Sequence, residues 1–425
     1  MPLRSLRPFT VAFVLLLPLA LRAALSPEEA KIAAWVDAHR EDFVSDLVAA
    51  VAIDSATENI AGVGRMADLH GDQLRALGFD VRYVAQPAEM KRGGHLIAER
   101  RGTKGQRVLM IGHLDTVLPG GNGRREGDLF HGAGSADMKG GNLVAIHALR
   151  ALHAAGALDD TQIVVIFTGD EEAPGDPVTE SRRDLHALAA RSDLALAFET
   201  AIGRTGTVAR RGIISWELEV QGATGHSSAL WNDAMGSGAV YEISRILAGF
   251  HEELRKLDGL TCNPSLVVGG TQAELERTGG KVSGKDNIVA QRALARGDLR
   301  FLSAAQLAEA KAKMEAVVAK HLPRTSAELR FLGDRYPAME ATPANYALLK
   351  RLDAASRDLG FGEITAYDPK GRGAGDVAFV SPPLPAIDGL GIHGRGAHAP
   401  GEVAELGTVP ELVKRTAVLL YRLTR

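Results

Sequence analysis

Three short apolar runs, residues 108–111, 163–167 and 194–198, are bounded by Gly, Asp or Ser. Runs of that length without polar alternation read as strands buried on both faces. Between the first two, residues 139–157 carry Leu143, Ile146, Leu149 and Leu152 at three-residue spacing, one apolar face of a helix. Strand, helix, strand in that order predicts an α/β sheet, whose ligands gather at the carboxyl ends of the strands. Upstream, Ser26 stands as a helix cap with Pro27 at the first helical position, and apolar spacing out to Ala52 predicts one long first helix.

From Thr207 the pattern changes. Residues 214–220 alternate as a half-buried strand, 234–257 read as a helix, 265–270 and 293–302 as two further strands, and 304–322 as a helix. This predicts a self-contained unit over residues 207–325, set into a larger domain made of residues 24–206 and 326–425. From about Arg330 the α/β character returns, with a helix over 344–359 and a Gly/Pro-rich run over 371–401. There is no internal repeat.

Composition adds two points. The chain has 425 residues, 45% hydrophobic and 24% charged, with a formal net charge of −3 and no long Lys/Arg run, so nucleic acid is not an expected partner. The first residues differ from the rest. Arg4 and Arg7 precede an apolar stretch over residues 9–21, then Ala23 and Ala24 and a polar start, the layout of a secretory signal peptide over residues 1–23. A retained anchor is the other reading, though the stretch is short of the ~20 residues that span a bilayer. Removing the segment leaves 46 Lys and Arg against 52 acidic residues, a net charge of −6. The expected location is therefore secreted or periplasmic, with the membrane met only transiently. The single cysteine, Cys262, allows no internal disulfide, so stability must come from the core.

Candidate chemistry sits just past the expected strands. In MIGHLDTV, residues 110–117, His113 and Asp115 lie two apart and point the same way in an extended chain. One can ligate a metal while the other takes the second imidazole N–H and fixes the tautomer. Asp137, in the glycine-rich turn GAGSADMKGG, can bridge two metals with its two oxygens or cap the following helix. In FTGDEEA the neighbouring Glu171 and Glu172 can divide roles as general base and metal ligand. Glu199 ends the next apolar run as a ligand, a cap or a salt-bridge partner. His398 lies in a Gly/Pro loop, with His393 a rival for the same role.

Taken in order, these segments resemble the glutamate carboxypeptidase and aminoacylase family of two-zinc metallopeptidases. That family also includes acetylornithine deacetylases and succinyl-diaminopimelate desuccinylases. The resemblance runs from about Ile32 to the C-terminus and rests on His-x-Asp, Asp-Met-Lys-Gly-Gly, Asp-Glu-Glu, Glu and Gly-x-x-His. It implies a zinc-exopeptidase-like α/β catalytic domain with a central mixed sheet, in two parts, and an inserted α+β dimerisation domain over residues 207–325. It implies two Zn2+ per subunit, with Co2+ or Mn2+ as alternatives: one ion on His113, Asp137 and Glu199, the other on Asp137, Glu172 and His398. Glu171 would be the base. The resemblance also implies a homodimer in which His226, in GATGHSS, reaches the other subunit's site and stabilises the oxyanion. Asn287 and Arg300 match positions that hold a substrate carboxylate, a task suited to the planar Arg fork. The loop GRGAGD, residues 371–376, resembles the family's Gly-rich substrate loop, although Arg372 and Gly375 depart from its commonest forms.

The expected activity is cleavage of an amide bond next to a free carboxylate, by a carboxypeptidase releasing glutamate-like residues from small peptides. An N-acyl amino acid deacylase and a non-catalytic metal-binding domain are the alternatives. Against the last, nothing structural calls for a second glutamate beside Glu172.

Overall fold

A computed structural model describes residues 25–276 and 278–425, so the expected signal segment lies outside the described residues. Among these, no helix is long and apolar enough to cross a membrane. The chain opens on Pro27–Ala38, capped reciprocally by Ser26 and Glu29. The expected single first helix is instead two, Pro27–Ala38 and Arg40–Ala52. The break falls at His39 (φ −118°, ψ 28°), whose ring stacks on Trp35 at 4.1 Å and places Nδ1 2.7 Å from the Trp35 carbonyl. A side chain that engages the carbonyl one turn back competes with the helical ladder there.

The larger domain is built on a six-stranded mixed sheet in the order Asp80–Val84, His95–Arg100, Thr161–Thr168, Lys104–His113, Leu194–Ala197, Ala386–Ile387. The last four run parallel to one another, and the first two pair antiparallel. The unbroken apolar runs follow from burial on both faces. Val108 and Met110 pack on one side with Leu143, Leu149 and Leu419, while Leu109 and Ile111 pack on the other with Leu185, Leu188 and Val377. The helix Gly140–Ala154 makes the crossover between the two central strands and packs on Pro27–Ala38 and Val409–Leu423. The pair Gly140 and Gly141 lets this helix start close to its neighbours: a Cβ on Gly141 would lie 2.1 Å from the Phe198 carbonyl oxygen, and one on Gly140 2.4 Å from that of Ser135.

The second unit is a four-stranded antiparallel sheet, ordered Thr261–Gly270, Arg292–Phe301, Gly212–Gly222, Thr325–Tyr336. Ile214, Trp216, Leu218 and Val220 alternate inward against helices Gly238–Leu254 and Ala304–Val318. On the other face Glu217 pairs with Arg296 and Glu219 with Arg292. This sheet runs past the expected boundary at residue 325, because Thr325–Tyr336 pairs with Gly212–Gly222 rather than joining the larger domain. Its Ala327, Leu329 and Phe331 give no sign of which of two sheets they join. The two crossings between the units lie side by side, with Arg210 and Met339 exchanging backbone hydrogen bonds of 2.9 and 3.1 Å.

Candidate active site

Parallel pairing in register sets His113 opposite Thr168 and Ile111 opposite Ala197, so His113, at the end of its strand, and Glu171 and Glu199, just past theirs, share one sheet edge at the strands' carboxyl ends. The turn carrying Asp137 closes on that edge. Asp137 does not cap the following helix, whose first turn has no side-chain cap. Its Oδ1 lies 3.3 Å from His113 Nε2 and its Oδ2 3.2 Å from His398 Nε2. His113 Nε2 is also 3.7 Å from Glu199, and His398 Nε2 is 3.1 Å from Glu172. His113, Glu171 and Glu199 each offer one atom within 4.8 Å of the others, as do His113, Asp137 and Glu172. The structure thus gathers all the expected ligands and Glu171 in one cluster. His398, at φ 63° in its glycine loop, is the exposed member and His113 the buried one. The rival His393 stays outside: its backbone pairs with Glu405, and burial lowers its pKa.

The electrostatics are those of crowded acids. Burial pushes Glu171 well above the usual carboxylate range, and the charge of Glu199 adds to it. Burial likewise raises Glu172, and lifts Glu199 to about 7 against the pull of Arg210. Burial also opposes ionisation of Asp137, but its bonds to His113 and His398 win and hold it low. The bonds to Asp137 and Glu172 raise His398 to about 11. Glu172 Oε1 is buried with no hydrogen-bond partner. Anionic oxygens this close are stabilised by a cation, and two imidazoles with carboxylates form an N/O donor set suited to zinc-like ions.

Asp115 does more than expected. His113 Nδ1 lies 3.0 Å from the Asp115 backbone oxygen and 3.4 Å from its Oδ1. The carboxylate also accepts the backbone N–H groups of Glu171 (2.9 Å) and Glu172 (3.1 Å) and the Thr57 hydroxyl (2.7 Å), fixing the acidic turn. Sequence reasoning missed Glu402, which accepts the backbone N–H groups of Gly134, Ala136 and Asp137 at 2.6–2.8 Å and shapes the Asp137 turn. It missed Arg210 as well, buried at the domain crossing, 3.5 Å from Glu199 and 2.5 Å from Asp388, and donating to the Ala374 carbonyl. The only available signal for Asp388 was its place after Ala386–Ile387, a strand too short to show periodicity.

His226 and Asn287 lie together on the second unit, where Ser227 N–H donates to the Asn287 carbonyl. Both are exposed, and the His226 ring bonds to Ser228, so neither joins the cluster within this chain. Arg300 lies 3.4 Å from Asp298 and beside the glycine-rich loop, where a Cβ on Gly373 would lie 3.9 Å from its Nη1, but it does not touch the cluster.

Residues 109–423 match the model of peptidase family M20/M25/M40. The chain belongs to that family. As an M20-family protein it is a metal-dependent exopeptidase or amidohydrolase with an α/β catalytic domain. It is similar to carboxypeptidase G2 of Pseudomonas sp. (strain RS-16), 26% identical over 383 residues, covering 88% of this chain and 87% of that protein. It is also similar to a succinyl-diaminopimelate desuccinylase of Acidiphilium cryptum (strain JF-5), 29% identical over 373 residues, covering 82% and 91%. In fold it is like the aminopeptidase PepT of Bacillus cereus ATCC 10987, with a TM-score of 0.73 at 18% identity, covering 91% of this chain and 99% of that one.

Proposed function

We propose that this M20-family chain is an exported two-metal exopeptidase of carboxypeptidase type, which cuts the amide bond beside a free carboxylate and releases a glutamate-like residue. The observation that carries the reading is Asp137, whose two oxygens face two different imidazoles. One ion would be held by His113, Asp137 and Glu199, the other by Asp137, Glu172 and His398. The orphaned Glu172 Oε1 fits a cation, and the donor set fits zinc, with Co2+ or Mn2+ as substitutes. When bound, such a pair lowers the pKa of water and polarises a carbonyl. Glu171 takes the proton of the attacking water and returns it to the leaving nitrogen. Arg300, beside Gly373, binds the substrate carboxylate, and Asn287, which lies with His226, would share that task from the other subunit of a homodimer. The similarity to carboxypeptidase G2 supports cleavage at a free C-terminus, and Arg4, Arg7 and the apolar stretch behind them support export.

A panel of peptides and N-acyl amino acids, each with a free or amidated C-terminus, tests the reading. The expected result is zinc-dependent, chelator-sensitive release of the C-terminal residue, with amidated substrates cleaved about tenfold worse or more, as loss of a charged hydrogen bond worth ~1.5–3 kcal/mol requires. Equal rates on free and amidated substrates would refute the carboxylate requirement. The similarity to succinyl-diaminopimelate desuccinylases favours a second reading, an N-acyl amino acid deacylase, which the same panel identifies by preference for N-acyl amino acids over dipeptides.

In a homodimer His226 would serve the other subunit's site as an oxyanion donor. His226→Ala is then expected to lower kcat about 10²–10³-fold with metal content unchanged. A wild-type kcat would remove His226 from the mechanism.

A further inference from the structure

Behind the acidic turn lies a buried polar network that contains none of the assigned metal ligands. Arg182 is fully buried and donates to Asp170 Oδ1 (2.6 Å), Asp376 Oδ1 (2.7 Å), the Asp170 carbonyl (3.2 Å) and Tyr336 Oη (3.2 Å). Thr168 donates to the other oxygen of Asp376 at 2.6 Å. Tyr336 in turn donates its hydroxyl to the Glu171 carbonyl at 2.6 Å. Glu171 is therefore held on both sides of its Cα. Asp115 takes its N–H at 2.9 Å, and Tyr336 fills its C=O. Fixing both flanking peptide groups fixes φ and ψ, and with them the direction in which the side chain leaves the backbone.

The origin of Tyr336 gives this clamp a second consequence. It is the last residue of Thr325–Tyr336, a strand of the inserted sheet, and three residues later Met339 pairs with Arg210 at the domain crossing. Asp376, the other end of the network, closes the glycine-rich loop that lies against Arg300.

We infer that Tyr336 is a positioning residue for Glu171, holding the base in its reactive direction and tying that direction to the inserted unit and, through Arg182 and Asp376, to the glycine-rich loop. This rests on the reading of Glu171 as the general base. The ring of Tyr336 packs on Phe379 at a centroid distance of 5.0 Å, a contact that a phenylalanine keeps, so Tyr336→Phe removes only the hydroxyl.

The test is a double-mutant cycle with Glu171→Gln in the full-length, zinc-loaded protein. Tyr336→Phe alone is expected to lower kcat on the order of tenfold, the scale of a small misplacement of a reacting group, with metal content unchanged and KM within about twofold of wild type. In the Glu171→Gln background the same substitution is expected to have no further effect on kcat, because the group it positions is gone. A wild-type kcat in Tyr336→Phe, or an undiminished effect in the Glu171→Gln background, would overturn the inference. Full turnover in Glu171→Gln alone would overturn the base assignment beneath it, and so separates the two failures.

Discussion

Replacing Glu171 by Gln is expected to cut kcat by about 10²–10⁴-fold while the protein still binds two metal ions per chain. Gln keeps the size and polarity of the side chain but cannot accept a proton. The backbone clamp from Asp115 and Tyr336 does not involve the lost oxygen, so the turn stays in place. Glu172 lies 3.1 Å from His398, on the side of the second oxygen of Asp137, where a ligand of the second proposed ion would sit. Glu171 lies within 4.8 Å of ligand atoms on both His113 and Glu199, close enough to serve either role. Metal analysis beside the kinetics decides. Turnover lost with metal retained makes Glu171 the base, whereas loss of an ion with turnover makes it a ligand and assigns proton transfer elsewhere.

The second large effect belongs to Asp137. Asp137→Ala is expected to reduce both bound ions to background and turnover below detection, because each assigned ion shares this carboxylate. The fold is expected to survive, since Glu402 holds the turn through the backbone N–H groups of Gly134, Ala136 and Asp137 rather than through the Asp137 side chain. The thermal midpoint of the variant is therefore expected to match that of metal-free wild type. A variant that keeps one tightly held ion would show that Asp137 serves a single site.

The site could be read from the sequence where one local rule applied. Residues 108–111, 163–167 and 194–198 have no polar alternation because the sheet is buried on both faces, and parallel pairing then places His113, Glu171 and Glu199 on one edge. What escaped depends on contacts between segments far apart in the chain. Glu402 is 265 residues from the Asp137 N–H it accepts, and Tyr336 is 165 from the Glu171 carbonyl. No periodicity encodes such pairs. Arg210 precedes the strand Gly212–Gly222 with nothing local to show that it turns back onto Glu199 and Asp388. Thr325–Tyr336 alternates like any half-buried strand, and only its pairing with Gly212–Gly222 assigns it to the inserted sheet. His39 breaks the first helix without proline or glycine, through its ring on Trp35.

The proposed two-ion site that shares Asp137 is tested most directly by a zinc titration of chelator-stripped protein, with activity and bound zinc measured at each point. Activity is expected to climb to its plateau only when about two equivalents per chain are bound, as a two-ion site requires. A plateau reached at one equivalent, with no further gain as more zinc binds, would contradict it.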